Sequence, residues 1–476
     1  MIEHIVPTPK HSEGTGELLT LSFCIQTTEA EWQGCCNVFA AAFEKIHRHP
    51  LREGAGGFVL EKDPALAPAA YRIEGAVVTA STKEGAHYGL ATLLHAAEVK
   101  EGVLTLEKGI IEDYPDKNYR SLMIDLARQW HPFYSLLHYV DLCYYLKLNV
   151  LHLHFIDDQS YTLPSEAFPH LTDGYRYYTK EQIRELNAYA EARGIILVPE
   201  FEAPGHAKAM ISQYPEIFGN EMEGDGGTIT TESGAIVTAE NLVCAGKQAS
   251  MEGIRTLLQE ICDLFPNSPY IHIGGDEANI GAWNYCSHCK TYMKEHGIED
   301  EKELYSEFTG RVARMVLEMG RTPIVWEGFP PKGVHHIPKE TIVCAWESHY
   351  HLAPDLLDAG FKIINGSWKP LYIVPSLKRR WGVDEILNWG VYDWQHWWPN
   401  SPARLNPIHV QPTDQLIGAQ YSVWECTYEQ EVGRVMDNLP AFSERTWNVE
   451  RLWDTPTFLN RRRRQETKLA LLMQEI

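Results

Sequence analysis

An adjacent pair of acids, Asp276 and Glu277, is the feature of the sequence most able to do chemistry. Neighbouring side chains on a strand point to opposite faces, so both carboxylates can reach one ligand only where a strand ends. Gly274 and Gly275, just before them, keep that approach open. Paired carboxylates can act as general acid and base, but a retaining glycosidase with a protein nucleophile usually takes two carboxylates about 5 Å apart from different strands. An adjacent pair therefore predicts that the two carboxylates have roles other than those of this usual acid and nucleophile.

The acidic pair belongs to a regular series of strand and helix patterns. From Tyr119 onward, short apolar runs alternate with amphipathic helical segments, which is typical of parallel βα units. Eight such units close a (β/α)8 TIM barrel, whose active site lies at the C-terminal ends of the strands. The strands are predicted at 121–128, 149–155, 194–201, 270–277, 322–327, 341–347, 361–367 and 416–424.

Polar or aromatic residues stand at nearly every predicted strand end. Packing alone does not place them at seven ends of one barrel, so we expect a functional site at this face. The seven ends carry Arg128; Asp157 and Asp158; His206; Asp276 and Glu277; Trp326 and Glu327; Trp346 and Glu347; and Trp424 and Glu425.

The residues before the barrel predict a separate small unit. We expect a small α/β domain over 1–116, followed by a catalytic barrel over 117–476 that ends in a helical tail. The small domain is indicated by strand-like runs at 18–25 and 102–106 and by helical patterns at 31–47 and 85–98.

Two further segments carry weaker patterns. The Gly-rich acidic stretch 219–238 has no periodicity, and we expect a surface loop there, which could also act as a lid. The final segment, with four arginines at 461–464, is predicted to form an amphipathic helix packed on the barrel.

Composition and charge restrict the partners of the chain. Its 476 residues include 42 Lys and Arg against 64 Asp and Glu, a net charge of −22. Such a surface repels phosphate backbones and anionic lipid headgroups, so neither nucleic acid nor a membrane is expected as a partner. The first residues lack an export signal and no run approaches the roughly 20 apolar residues that span a bilayer, which predicts a cytoplasmic protein.

The ten cysteines suit a reducing compartment better than a disulfide framework, since they are scattered and Cys35 adjoins Cys36. Cys286 and Cys289 form a CxxC motif. The sequence shows no second CxxC or His pair to complete a zinc site, so inert thiols are the favoured interpretation and zinc the alternative.

Several longer motifs together carry a resemblance to a known family. HIGGDE at 272–277 is preceded, in order, by STKEGAHYGLATLLH, IEDYPDKNYRSLMIDLARQW, KLNVLHLHFIDDQ and YYTKEQIRELNAYAEARGIILVPEFEAPGHA. This set and its order resemble glycoside hydrolase family 20, the β-N-acetylhexosaminidases. The resemblance covers the chain almost end to end.

The resemblance implies a mechanism for the acidic pair. Glu277 would be the general acid and later the general base, which requires a raised pKa. Asp276 would orient the 2-acetamido group of the substrate, whose carbonyl oxygen attacks the anomeric carbon to give an oxazolinium intermediate and net retention. No metal or organic cofactor is implied.

The resemblance also implies binding roles for other residues. Arg128 would hold ring hydroxyls of the terminal sugar, because its donors have a fixed geometry. Asp157 and His206 would brace the acidic pair. Aromatic walls are assigned to Trp326, Trp346 and Trp424, a hydrogen bond to the acetamido oxygen to Tyr372, and a further wall to Trp394.

Two positions depart from the family pattern. The family's Asp or Asn two residues after the tyrosine is Val374 here. The family's Glu two residues after the last tryptophan is Cys426, and the acid stands at Glu425 instead. Since both positions normally hold the outer hydroxyls of the sugar, no preference between gluco and galacto sugars is implied.

Two other classes of protein share part of the pattern. His152 and His154 form an HxH motif, as in metal-dependent amidohydrolases, but strands four to six carry Gly-Asp-Glu, Trp and Trp where that class needs Lys or His. A non-catalytic sugar-binding barrel is the second alternative because a fold does not prove activity, yet Glu277 is present. A hydrolase of small amino-sugar glycosides or oligosaccharides is therefore favoured.

Overall fold

A mixed sheet precedes the barrel in the computed structural model, which describes residues 2–223, 228–230, 236–375 and 380–474. Its elements are β1 (His11–Leu21), β2 (Cys24–Thr27), α1 (Gln33–His47), β3 (Arg52–Glu53), β4 (Phe58–Lys62), β5 (Tyr71–Glu74), β6 (Val77–Ala80), α2 (Lys83–Ala96), β7 (Glu98–Lys100) and β8 (Val103–Asp113). Within the described residues the sheet has the order β1-β8-β5-β6-β4-β2-β3, with β7 beside β8, and the two helices pack against it.

The apolar periodicity of this segment explains how the helices pack on the sheet. Helix α1 buries Phe39, Phe43 and Ile46, which recur on one helical face. Strand β4 buries Phe58 and Leu60, which alternate along the strand. The rings of Phe39 and Phe58 meet edge to face with centroids 5.1 Å apart. The two periods therefore interlock in one core, as the helical pattern at 31–47 predicts.

The rest of the chain forms a closed barrel. The strands, in chain order, are β9 (Tyr119–Asp125), β10 (Val150–His154), β11 (Ile196–Glu200), β12 (Thr228–Thr230), β13 (Ile236–Thr238), β14 (Tyr270–His272), β15 (Thr322–Trp326), β16 (Ile342–Ala345), β17 (Lys362–Asn365), β18 (Tyr372–Ile373), β19 (Asp393–Trp394), β20 (Ile408–His409) and β21 (Leu416–Val423). Strands outside the barrel ring form the pairs β12–β13 and β19–β20, and β18 lies beside β21.

Helices follow most strands of the ring and cover its outside. They are α3 (Phe133–Tyr145), α4 (Lys180–Ala192), α5 (Lys208–Gln213), α6 (Pro215–Phe218), α7 (Gln248–Leu264), α8 (Ser287–His296), α9 (Glu301–Glu318), α10 (Ala353–Asp358), α11 (Trp368–Leu371), α12 (Val383–Asn388), α13 (Tyr428–Trp447) and α14 (Thr455–Leu472).

Parallel pairing closes the ring. Among the described residues, eight strands pair in the order β9-β10-β11-β14-β15-β16-β17-β21, and β21 pairs with β9. This arrangement confirms the predicted (β/α)8 barrel preceded by a small α/β unit. Branched and bulky side chains fill the interior, as expected for a packed barrel. They include Met123, Val150, Val198, Ile324, Cys344 and Ile364.

The strands end earlier than the sequence predicts. β9 ends at Asp125 rather than 128, because the Asp125 carboxylate accepts the N–H groups of Ala127 and Arg128 and turns the chain. β14 ends at His272 rather than 277. The apolar run continues past each ladder, but its last residues leave the sheet and turn towards the barrel mouth.

Two segments differ from expectation or extend it. The stretch 219–238 was expected to be a loop without regular structure, yet β12 and β13 pair antiparallel within it; 224–227 and 231–235 lie outside the described residues. The tail forms α14, which packs on α1 of the small unit as well as on α3 of the barrel. No helix within the described ranges combines the length and apolar character needed to cross a membrane.

Candidate active site

A tight turn after β14 carries the acidic pair to the mouth of the barrel. Gly274 and Gly275 have φ of 69° and 85°, a backbone region that residues other than glycine seldom adopt. A Cβ atom on Gly274 would lie 2.2 Å from Glu202 Oε1, so the close approach also requires glycine. The Gly275 N–H donates to the same carboxylate at 3.0 Å. Glu202 therefore holds the turn that presents Asp276 and Glu277.

The two acids differ in exposure although they are neighbours. The side chain of Asp276 is 8% exposed and that of Glu277 52%. His206 faces both: its Nε2 atom lies 3.6 Å from Asp276 Oδ2 and 3.7 Å from Glu277 Oε1. The Tyr305 hydroxyl donates to the backbone oxygen of Asp276 at 2.6 Å. Asp276 is thus a fixed, enclosed group, while Glu277 opens to solvent.

The pKa values of the pair move apart. Burial raises the pKa of Asp276 to about 6, with His206 opposing and the charge of Glu277 adding to the rise. Burial also raises the pKa of Glu277, but the nearby positive charges of His206 and Arg128 outweigh it and leave that pKa below its usual value. The expectation of a raised pKa at Glu277 is therefore wrong for the free chain, because a cation faces this half-exposed carboxyl.

Asp157, at the end of the second strand, holds the surrounding cations in place. It is fully buried and accepts from Arg128 Nη2 at 2.7 Å and His154 Nε2 at 2.9 Å. His206 Nδ1 lies 3.4 Å from its other oxygen. Burial raises the pKa of Asp157, but His154, His206 and Arg128 together lower it well below its usual range. Asp157 therefore stays ionised and orients both Arg128 and His206.

Glu200 occupies the floor below Asp157. It accepts from His154 Nδ1 at 2.5 Å and from Trp326 Nε1 at 2.6 Å. His152 Nε2 and His272 Nδ1 lie 3.1 and 3.0 Å from its oxygens. Burial lowers the pKa of His154, but Glu200 and Asp157 raise it to about 10.

The HxH histidines are part of this floor. His152, His272 and Glu200 place ligand atoms within 4.8 Å of one another and could hold a cation. All three are fully buried, however, and none lines the cavity above. Their imidazole nitrogens already face the Glu200 carboxylate. The group therefore acts as a charged support for Asp157, unlike the open metal site of an amidohydrolase.

A small cavity of about 100 Å³ lies over the acidic pair. Within the described part of the chain, three buried polar atoms of its lining have no hydrogen-bond partner: Asp276 Oδ1, the Tyr372 hydroxyl and Trp424 Nε1. Buried polar groups are normally paired, so this cavity is suited to a ligand that carries both a donor and an acceptor. The lining consists of Arg128, Asp276, Glu277, Trp346, Trp368, Tyr372, Val374, Trp424 and Glu425.

Aromatic rings define the shape of this cavity. Trp346 and Tyr372 stand nearly parallel, with centroids 6.0 Å apart and planes 16° apart. Trp368 stacks on Tyr372 at 4.5 Å. The guanidinium of Arg128 lies over the Trp424 ring at 4.9 Å. These flat faces fit the apolar faces of a sugar and of an amide methyl group.

Comparison with known proteins identifies the family. The family model described as "Glycosyl hydrolase family 20, catalytic domain" matches residues 118–450, which span the barrel and the acidic pair. The chain belongs to glycosyl hydrolase family 20. It is therefore a glycoside hydrolase, as the motifs and their order indicate.

Curated relatives of this family 20 hydrolase are named β-hexosaminidases. A β-hexosaminidase of Akkermansia muciniphila is 33% identical over 347 residues, 67% of this chain and 68% of the relative. A β-hexosaminidase of Porphyromonas gingivalis is 31% identical over 297 residues, 58% of this chain but 36% of that larger protein.

The fold has close matches among solved structures. An exo β-N-acetylglucosaminidase of Vibrio harveyi, in complex with N-acetylglucosamine, superposes with a TM-score of 0.85 at 22% identity, over 99% of this chain and 78% of the other. A β-N-acetylhexosaminidase of Bacteroides fragilis gives 0.79 at 23% identity, over 97% and 94%. At this identity the likeness concerns the fold.

The structure brings most of the predicted site residues of this family 20 hydrolase together. Asp157, His206 and Trp326 do not line the cavity; Asp157 and Trp326 act through hydrogen bonds and His206 through its charge beside Asp276. Trp394 stands apart: its side chain is fully buried and its indole N–H donates to the Ala345 carbonyl at 2.8 Å. The predicted residues that line the cavity are Arg128, Asp276, Glu277, Trp346, Tyr372, Trp424 and Glu425.

The sequence does not predict Trp368 as a site residue, and it indicates Val374 only as a departure from the family pattern, yet both line the cavity. Trp368 donates to Glu347 Oε2 at 2.8 Å and forms one end of the cavity. It lies just after the end of β17, as the other predicted site residues lie after their strands, and this position could have indicated it. Glu425, at φ of 60°, lines the cavity while its neighbour Cys426 is buried. The shifted acid thus still reaches the mouth of the site.

Proposed function

We propose that this chain is an exo-acting β-N-acetylhexosaminidase that hydrolyses terminal N-acetylglucosamine or N-acetylgalactosamine with retention. The observation that carries the proposal is the trio of unpaired polar atoms on Asp276, Tyr372 and Trp424 around one small cavity beside Glu277. A secondary amide supplies the donor and the acceptor that this cavity lacks. The names of the curated relatives support the same substrate class.

The acetamido group of the substrate acts as the nucleophile in this proposal. Asp276 Oδ1 accepts its N–H, and the Tyr372 hydroxyl donates to its carbonyl oxygen, which turns that oxygen towards the anomeric carbon. The carbonyl oxygen forms a bond to the anomeric carbon while the bond to the leaving oxygen breaks. The positive charge of the resulting oxazolinium ion is stabilised by the Asp276 carboxylate.

Glu277 moves the protons. Its carboxyl gives a proton to the leaving oxygen, and its carboxylate then takes one from the water that attacks the anomeric carbon, which restores the amide and retains the β configuration. The free carboxyl is half exposed, so an aglycone that covers it removes water and raises its pKa. The raised pKa that an acid catalyst needs is thus created by substrate binding.

The remaining cavity residues bind the sugar ring. Arg128 is held by Asp157 and Asp125 with donors near the cavity, where ring hydroxyls accept them. Trp346 and Trp424 confine the acetamido methyl and the ring. Val374 offers no hydrogen bond to an outer hydroxyl and Glu425 does, so recognition of O4 and O6 rests on Glu425.

A comparison of aryl glycosides that differ at C2 tests the function. We expect 4-nitrophenyl N-acetyl-β-glucosaminide to be hydrolysed with a β-configured first product by NMR, and a thiazoline analogue of the sugar to inhibit strongly. The matching β-glucoside lacks the nucleophile and should react at least about 10³-fold more slowly. Equal turnover of the two glycosides would contradict the proposal.

A further inference from the structure

Three cysteine sulfurs meet in a buried cluster outside the catalytic cavity. Cys286 and Cys289 begin helix α8, and Cys244 comes from the loop between β13 and α7. Cys244 Sγ lies 3.7 Å from Cys286 Sγ and 3.7 Å from Cys289 Sγ. All three residues are fully buried and none forms a disulfide. The sequence offers only the CxxC pair, and the fold supplies the third thiol.

The spacing of the sulfurs is that of a tetrahedral metal site. Zinc binds thiolate sulfur at about 2.3 Å, so two sulfurs on one tetrahedral zinc are separated by about 3.8 Å. A disulfide would need about 2.05 Å. All three sulfurs lie within 4.8 Å of one another, so one ion can reach all of them.

A fourth position is also available. Asn220 Oδ1 lies 3.7 Å from Cys289 Sγ, and the Asn220 side chain is fixed because its amide donates to the Leu242 carbonyl at 2.5 Å. The oxygen, or a water bound to it, can complete the tetrahedron beside the three sulfurs. The start of α8 adds to the site, since the positive end of a helix dipole stabilises thiolate.

We propose that Cys244, Cys286 and Cys289 bind one zinc ion, with an oxygen ligand at Asn220. The ion is structural and lies away from the sugar cavity. It joins the loop after β11 to the loop after β14.

The position of the cluster indicates which loops the ion stabilises. The loop after β11 carries His206, and its later part is tied to the site by Val243 N–H donating to the Pro204 carbonyl at 2.8 Å. The loop after β14 carries Asp276 and Glu277 and continues to Trp283, whose indole N–H donates to the Val243 carbonyl at 3.0 Å. A metal ion between Cys244 and the start of α8 therefore joins the loop that carries His206 to the loop that carries Asp276 and Glu277.

Metal analysis of the purified full chain tests the proposal without any sugar substrate. The chain is purified without metal-affinity resin, dialysed in reductant and analysed by mass spectrometry for metals. We expect about one zinc ion per chain. Cys286→Ser and Cys289→Ser should lose it, while Cys262→Ser, whose thiol lies near Met319 and outside the cluster, should keep it.

A second measurement uses the unaltered sequence, so it does not depend on the folding of a variant. Cobalt added to metal-stripped protein should give thiolate-to-cobalt charge-transfer absorption, which zinc abolishes. Removing zinc should also lower Tm. Protein that holds no zinc, gives no cobalt band and titrates ten free thiols would overturn the proposal. So would a disulfide mapped within the three cysteines.

Discussion

His206 Nε2 lies 3.6 Å from Asp276 Oδ2 and serves as the fixed cation of the catalytic pair. Burial lowers the pKa of His206, but the negative charges of Asp276 and Asp157 and the nearby Glu277 carboxylate raise it well above its usual value. The ring is therefore charged at neutral pH. It favours the ionised form of both carboxylates, the enclosed Asp276 and the half-exposed Glu277.

The pH dependence of hydrolysis should show this balance. Catalysis needs Asp276 ionised and Glu277 protonated, so the active free chain carries one proton on this pair. Because the pKa of Asp276 is about 6 and that of Glu277 is below its usual value, the pair loses this proton and kcat/KM should fall as the pH rises through about 6. The folded chain binds this proton more tightly than the unfolded chain, so the contribution of Asp276 to stability increases as the pH falls through the same range. A profile of kcat/KM from pH 4 to 8 measures this alkaline limb.

A His206→Asn variant provides the control for this profile. Removing the cation raises the pKa of Asp276, and the alkaline limb should move to higher pH. His170→Asn, at an exposed His–Asp pair, should leave it in place. An unchanged limb in His206→Asn would contradict the electrostatic role.

Replacing Glu277 by Gln should remove proton transfer and keep binding. We expect kcat on chitobiose to fall by about 10³-fold, the range that a positioned acid–base group supplies. Turnover of a nitrophenyl glycoside should fall less in its first step, because that leaving group needs little protonation. Glu252→Gln, on the outer face of α7, is the matched control. Thiazoline binding by calorimetry should persist, and its loss would indicate a damaged site.

Tyr372→Phe tests the hydrogen bond to the acetamido oxygen. The hydroxyl is buried and has no partner among the described residues, so its removal should not destabilise the free chain. It should lower kcat/KM by about 10- to 100-fold, as expected for a donor that acts on developing charge. Thermal unfolding and steady-state kinetics measure the two effects. Tyr177→Phe, at an exposed tyrosine, should change neither.

Trp394 and Trp424 should respond in opposite ways. Trp394→Phe removes the bond to Ala345 and leaves a void in the core, which should lower the free energy of unfolding by about 1–3 kcal/mol with little change in KM. Trp424→Phe alters the cavity and should raise KM with a smaller loss of stability. Urea unfolding and kinetics of both variants would distinguish a core residue from a binding wall.

The sequence predicts the barrel well because its signals are periodic and local. Eight apolar runs separated by amphipathic helices identify the ring, and the functional residues follow from the rule that active sites lie at strand ends. The exact strand ends are not predictable this way. Asp125 turns the chain before its apolar run is finished, and Gly274 turns it just after the run, so hydrogen bonds rather than hydrophobicity decide where each strand ends.

Features formed by residues that are far apart in the chain cannot be predicted from local sequence patterns. Trp394 and Trp368 look alike as tryptophans near strand ends, but one enters the core and the other the cavity. The lowered pKa of Glu277 depends on His206, about seventy positions earlier. Cys244 joins the CxxC pair only because the loop after β13 folds back. Each case depends on tertiary contacts that no local pattern encodes.

The anchoring of helix α14 affects how the chain is made. Lys468 donates to the backbone oxygens of Leu94, His95 and Ala97, which close the C-terminal end of α2. The amine is synthesised 374 positions after Leu94. A nascent chain on the ribosome therefore carries α2 without these hydrogen bonds until position 468 has emerged. Until then the last backbone oxygens of α2 depend on water for these hydrogen bonds.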